Sequence, residues 1–191
     1  MIYFICSKPN QQLIIEELID SIAAGSELRF TDATRGTIFL DKKDISSFQL
    51  LTQQLQAEGP FTLTMLQSVN NEKLSNKVLD YQHQLFSGSY RDLNELLIIA
   101  MNQQNQEILS EFVSFYNSLP QEHLEFAKEL IKNGGNVVKT AASLYFHRNT
   151  ITNRLQQFEN LTNLDLRDAN HRLLLRLLDI YIHNVRDAQD N

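Results

Sequence analysis

Tryptophan is absent from the 191 residues, cysteine occurs once, proline three times and glycine six times. The lone Cys6 excludes an internal disulfide and fits a reducing compartment. So few glycines and prolines leave little room for a turn-rich all-β fold. No apolar run approaches the roughly 18 residues of a membrane-spanning helix. The opening MIYFICSKPNQQ has no basic segment ahead of its apolar residues and reads as a first strand, not a signal peptide. These absences predict a soluble, cytoplasmic protein with no membrane partner.

Catalytic signatures are missing too. Neither GxxxxGK[ST] nor GxGxxG occurs, which removes support for phosphate cradling by a glycine loop. His83, His123, His147, His171 and His183 are scattered, without HExxH or a second cysteine, so no metal site is expected. No GxSxG elbow exists, and Cys6 sits in a strand-like apolar run, where a structural thiol is expected. Asp41 and Asp44 flank Lys42-Lys43 and read as a solvated helix start. The expectation is a protein without catalytic residues and without a cofactor.

A net charge of −6 argues against indiscriminate binding of polyanions. Its distribution is uneven. Residues 1–120 hold eight bases against fourteen acids, whereas residues 121–191 hold nine of each. No acid lies between Glu129 and Glu159, and Lys132, Lys139, Arg148 and Arg154 all fall in that gap. A local basic stretch in an acidic chain suits either a nucleic-acid footprint or a scatter of surface bases.

The first 70 residues alternate between strand and helix patterns. Ile2–Cys6 reads as a strand, and Gln11–Ala24 as a helix carrying Leu13, Ile14, Leu18 and Ile22, stopped by Gly25. Glu27–Asp32 and Thr37–Leu40 flank Ala33-Thr34-Arg35-Gly36 as a hairpin. Asp44 is placed to cap a helix over Ile45–Ala57 with Phe48, Leu51 and Leu55 inward, ended by Gly59-Pro60. Phe61–Leu66 completes a β-α-β-β-α-β order, the ferredoxin-like arrangement. From Asn71 onward no further strand is expected. One-sided helices are read over Lys73–Phe86, Arg91–Met101 and Ile108–Leu119. The fold class is therefore α+β: a module over 1–70, a helical linker or dimerisation segment over 71–119, and a third unit over 120–191.

That third unit carries the motif. Gln121–Asn133 is helical, with Leu124, Ala127, Leu130 and Ile131 inward. Gly134-Gly135 supplies a left-handed C-cap, and Asn136 is the N-cap of the next helix. The short helix Val137–Tyr145 shows Val138, Ala141, Ala142 and Leu144 on one face. After a break at Tyr145-Phe146-His147, a second helix over Arg148–Glu159 has Ile151, Leu155 and Phe158 on its apolar side. Two short helices, a tight break and a small residue at their crossing make a helix-turn-helix. Opposite the apolar side lie Asn149, Thr152, Asn153 and Gln156, flanked by Arg148 and Thr150. Amides, hydroxyls and guanidinium groups match the donors and acceptors of base edges. Arg154, nearer the apolar edge, is expected to touch a phosphate or to tie the helix down through Glu159 or a carbonyl.

The string Ala141-Ala142-Ser143-Leu144-Tyr145-Phe146-His147-Arg148-Asn149-Thr150-Ile151-Thr152-Asn153-Arg154-Leu155 resembles the C-terminal helix-turn-helix domain of PucR/CdaR-family bacterial transcription regulators. The resemblance extends over residues 124–183, and Gly135 to Leu155 is also similar to Fis-type DNA-binding domains. It implies that Arg148, Thr150, Thr152 and Asn153 contact DNA and that Asn136 and Lys139 lie beside phosphates. With Asn149 from the polar face and His147 from the signature, these make the candidate DNA-binding set. Thr152 and Asn153 stand where those families more commonly have basic or aromatic residues, which weakens the expectation of strong phosphate binding. The first module more distantly resembles a degenerate GGDEF-like domain. Asp32-Ala33-Thr34-Arg35-Gly36 lacks the glycine-acid turn of a working cyclase, and an ACT-like or structural ferredoxin-like module explains it equally well.

The implied function is that of a sequence-specific regulator binding double-stranded DNA. Two alternatives remain open: a protein-interaction scaffold with a degenerate helix-turn-helix, or a module sensing a small-molecule effector. The final helix, Asn170–Val185, is apolar around most of its circumference, which predicts a homodimer held partly by Leu174, Leu178 and Tyr181. Coverage by residues 73–119 of the same chain is the alternative.

Overall fold

The computed structural model describes residues 1–39 and 45–189. Leu40, the Asp41/Asp44 pair and the cap expected of Asp44 lie outside the described residues. The chain divides into two compact units, Met1–Ile99 and Ala100–Asn191.

The first unit is built on a five-stranded sheet. In chain order come β1 (Ile2–Cys6), α1 (Gln12–Ile22), β2 (Glu27–Phe30), β3 (Arg35–Phe39), α2 (Ile45–Glu58), β4 (Leu63–Gln67), α3 (Glu72–Leu85) and β5 (Tyr90–Asp92). The strand order is β2-β3-β1-β4-β5, with β1 antiparallel to both β3 and β4, and β2 antiparallel to β3. Inserting β3 between β1 and β2 is the split β-α-β arrangement expected of the ferredoxin-like order. Central β1 is buried along its whole length, as its unbroken apolar run requires.

One sheet face carries Ile2, Phe4, Cys6, Ile38, Leu63 and Met65, which form a core with Ile15 and Ile19 of α1 and Phe48, Leu51 and Leu55 of α2. The inward face of α1 matches expectation in part, since Leu18 and Ile22 pack against this core. Leu13 is 76% exposed and Ile14 also faces solvent, because Ile15, Ile19 and Ala23 share the contact stripe instead. Helix α3 packs against β1 and β4. Its Gln82 donates to the carbonyl oxygens of Met65 (3.0 Å) and Ser89 (2.9 Å), binding helix, strand and following loop together.

Two further departures concern the sheet. β2 ends at Phe30 and β3 begins at Arg35, so the hairpin loop lies two residues earlier than expected, over 31–34, and Asp32 closes it by accepting from the backbone N–H groups of Thr34 (2.7 Å) and Arg35 (2.9 Å). Three-residue β5 was not expected at all. It pairs parallel to β4 through the α3 crossover, and a strand of that length carries no readable alternation.

Helix α4 (Leu93–Asn102) carries the chain into the second unit, which is wholly helical among the described residues: α5 (Gln106–Ser118), α6 (Gln121–Lys132), α7 (Val137–Ser143), α8 (Arg148–Thr162) and α9 (Ala169–Gln189). Helices α5 and α6 pack on α9, and α6 also meets α7 and α8. No helix among the described residues is long and apolar enough to cross a membrane.

Candidate nucleic-acid interface

Each joint of the helix-turn-helix is fixed by local hydrogen bonds. At the end of α6, Gly135 N–H donates to Leu130 O (2.8 Å) and Gly134 N–H to Ile131 O (2.9 Å). Both glycines have positive φ, 66° and 80°, and Gly134 fills the left-handed position that this Schellman cap requires. Asn136 Oδ1 then accepts from Lys139 N–H (3.0 Å) and starts α7. The glycine cap and the Asn136 cap stand as the sequence predicts.

Helix α7 ends two residues earlier than expected, at Ser143. The same cap pattern closes it: Phe146 N–H donates to Ala141 O (2.9 Å) and Tyr145 N–H to Ala142 O (3.3 Å). The left-handed position, φ 55°, is filled by Tyr145. Ala141 is buried, as a close helix crossing demands. Val138 is 70% exposed and Ala142 is exposed too, which corrects the expected face. Thr140 is buried in their place, its hydroxyl donating to Asn136 O (2.8 Å), so a polar residue enters the core with its hydrogen bond made.

Helix α8 begins at Arg148 with His147 as its cap, Nδ1 accepting from Asn149 N–H (3.3 Å). Ile151, Leu155 and Phe158 are buried, as their spacing predicts. The helix runs three residues beyond Glu159 because buried Thr162 continues the apolar stripe, and Asn163 at φ 63° caps it. Arg148, Asn149, Thr152, Asn153 and Gln156 are exposed on the other side, and Thr150 is half-buried. All eight candidate residues therefore lie in or beside α7 and α8. Three already make local bonds: Asn136 and His147 cap helices, and the Thr152 hydroxyl donates to Arg148 O (3.2 Å).

The charges around this face are sorted by pairing. Glu159 is bound by Arg167 (2.6 Å), which also holds Asp165 (2.6 Å). Glu129 meets Lys132 (3.5 Å), and hydrogen bonds from Ser143 and Asn133 hold its carboxyl below the usual range. Arg154 lies over the ring of Phe146, a partner not anticipated in the sequence. Lys139 and Arg148 are exposed and have no ion-pair partner among the described residues. Among the described residues, the exposed face of α8 from Arg148 to Gln157 carries amide, hydroxyl and guanidinium groups and no acid.

Residues 123–178 match the PucR C-terminal helix-turn-helix domain. This PucR-like segment takes in α7, α8, nearly all of α6 and the first half of α9. Among solved structures, the chain is similar to the regulator of polyketide synthase expression from Bifidobacterium adolescentis, at 15% identity and a TM-score of 0.48, over 97% of this chain and 80% of that one. No curated protein matches the chain.

Two of the three residues expected at a dimer interface are buried within the single chain. Leu174 and Leu178 are 2% and 0% exposed in the single chain, because this face of α9 closes the core of its own unit against α5 and α6. They have no free surface for a partner. Leu173 and Ile180 are exposed, while Leu177 and Tyr181 are half-buried. Tyr145, which the sequence reading places only in the break between the two helices, is 95% exposed. No group of three His, Cys, Asp or Glu among the described residues is placed to hold a metal.

Proposed function

We propose that this chain is a sequence-specific DNA-binding transcription regulator whose helix α8 enters the major groove. The observation that carries this reading is the acid-free exposed face of α8, in a segment matching a PucR helix-turn-helix domain, beside the unpaired Lys139 and Arg148. Arg148, Asn149, Thr150 and Asn153 read base edges from the first turns of α8. Lys139 and Asn136, at the start of α7, lie beside phosphates, as does His147 through its remaining ring nitrogen. Thr152 contributes less than the others, because its hydroxyl proton is already committed to Arg148 O.

One short helix touches few bases, and a two-fold pair presents two of them roughly 34 Å apart. The second copy docks on Leu173, Leu177, Ile180 and Tyr181, one continuous stripe of α9 beside the buried one. A regulator of this kind works in the cytoplasm, where bacterial DNA lies, and the first unit is the place for a small-molecule effector. A second reading, a scaffold that has lost DNA binding, is favoured by the net charge of −6 and by having, among the described residues, only Lys139 and Arg148 at the motif without an ion-pair or ring partner. Selection from random duplex DNA at low salt separates the two. Enrichment of one sequence supports the regulator, and recovery of no DNA supports the scaffold. Sedimentation of the free protein as a monomer at micromolar concentration would remove the second copy.

A further inference from the structure

Tyr145 occupies a position that its side chain makes costly and that the fold does not use. It is the left-handed residue of the cap between α7 and α8, a conformation that glycine or asparagine adopts most readily. Its side chain is 95% exposed and makes no hydrogen bond, ion pair or ring contact with the described residues. The neighbouring aromatic behaves otherwise, since Phe146 is partly covered and lies under Arg154. A large aromatic held out into solvent, on a backbone unsuited to it, points to a use outside the fold.

The position says what that use is. Two residues lie between Tyr145 and Arg148, so their Cα atoms are at most about 11 Å apart. The major groove is roughly 12 Å wide. When the first turn of α8 lies in the groove, that span is enough for Tyr145 to reach the phosphates that border it. A phenol there offers one neutral O–H donor. Resting on the DNA-binding reading above, we propose that Tyr145 is a further DNA contact, its hydroxyl donating to a backbone phosphate and fixing how α8 enters the groove.

Because the tyrosine is uncharged, its contact releases no counterion. Its loss must weaken binding without changing the dependence on salt, whereas loss of a lysine changes both. The test uses the full chain and a duplex recovered by selection, with Tyr145→Phe and Tyr145→Asn compared against the parent for affinity, salt slope and melting temperature. The phenylalanine variant removes only the hydroxyl, and the asparagine variant relieves the backbone. Both are expected to bind selected and scrambled duplexes about five- to tenfold more weakly, with the parent's salt slope. The asparagine variant should melt at or above the parent's temperature.

If the parent binds DNA and the phenylalanine variant binds equally well, the inference fails while the DNA-binding reading stands. If the asparagine variant melts well below the parent, the ring serves the fold and the inference is again overturned. A parent that binds no duplex at low salt overturns both.

Discussion

The guanidinium carbon of Arg154 lies 4.8 Å from the centre of the Phe146 ring. The contact ties the second turn of α8 to the link that precedes it, on the helix that begins with Arg148 and Asn149. A cation over an aromatic face at a partly exposed site stabilises by about 0.5–1 kcal/mol. Arg154→Ala and Phe146→Ala should each lower stability by about that much or somewhat more. The double variant should cost less than the two single costs combined, as read by a double-mutant cycle in urea. Strict additivity would mean that the two side chains act independently.

Asp179 joins three helices of the second unit, accepting from Tyr116 Oη of α5 (2.7 Å) and Lys128 Nζ of α6 (2.8 Å). Burial opposes its ionisation, but the hydrogen bonds from Lys128 and Tyr116 outweigh it and hold the carboxyl below the ordinary aspartate range. A carboxylate whose folded pKa is depressed stabilises above the unfolded value, near pH ~4, and loses that contribution as pH falls through the lower folded value. Asp179→Asn should therefore cost about 1–2 kcal/mol at neutral pH. Urea unfolding across an acid series should show the gap to the parent closing below about pH 4. A gap that stays constant into strong acid would contradict this role.

Gly36 stands opposite Phe4 in the register of β3 and β1. A Cβ there would lie 2.6 Å from both the Arg29 carbonyl oxygen and the Phe4 ring. The first is backbone, and the second belongs to a ring at the centre of the core. Gly36→Ala should destabilise the first unit by about 1–3 kcal/mol, in the range of core overpacking. Thermal unfolding indistinguishable from the parent would mean that the sheet yields more easily than this packing implies.

The parts of the molecule legible in the sequence are those set by local chemistry. Apolar β1, the stripe Phe48, Leu51, Leu55 and the caps at Gly134, Gly135 and Asn136 follow from periodicity and from residues whose backbone preferences are strong. The stripe Ile151, Leu155, Phe158 was readable for the same reason. Illegible were features that depend on what lies across the fold. Strand β5 exists because β4 offers it an edge, and α1 turned its contact stripe to Ile15 and Ile19 although Leu13 is equally apolar. Leu174 and Leu178 look like any leucines of an apolar helix, and only α5 and α6 packing on α9 assigns them to the interior. Arg154 lies over the Phe146 ring, while Glu159 is bound by Arg167, eight residues further along the chain.

Lys139 and Asn149 should separate by kind of loss. On the proposed reading Lys139→Ala removes a charge beside phosphates, so all duplexes should bind more weakly and the salt slope should fall by about one. On the same reading Asn149→Ala removes an amide aimed at base edges and should cost about 1–3 kcal/mol on the preferred site alone. Binding titrations over a range of salt with matched and mismatched duplexes measure both. The same loss of preference from each variant would show that the two residues are not divided between backbone and base.

The most direct measurement is the ratio of affinities of the full chain for a selected duplex and for a scrambled one of equal length and composition, taken at several salt concentrations. A regulator that reads sequence through α8 should prefer the selected duplex by about a thousandfold or more. Both affinities should fall linearly with the logarithm of salt, and Arg148→Ala should erase much of the preference. A ratio near one at every salt concentration, or no binding of either duplex at low salt, would contradict the assignment of α8 as a recognition helix.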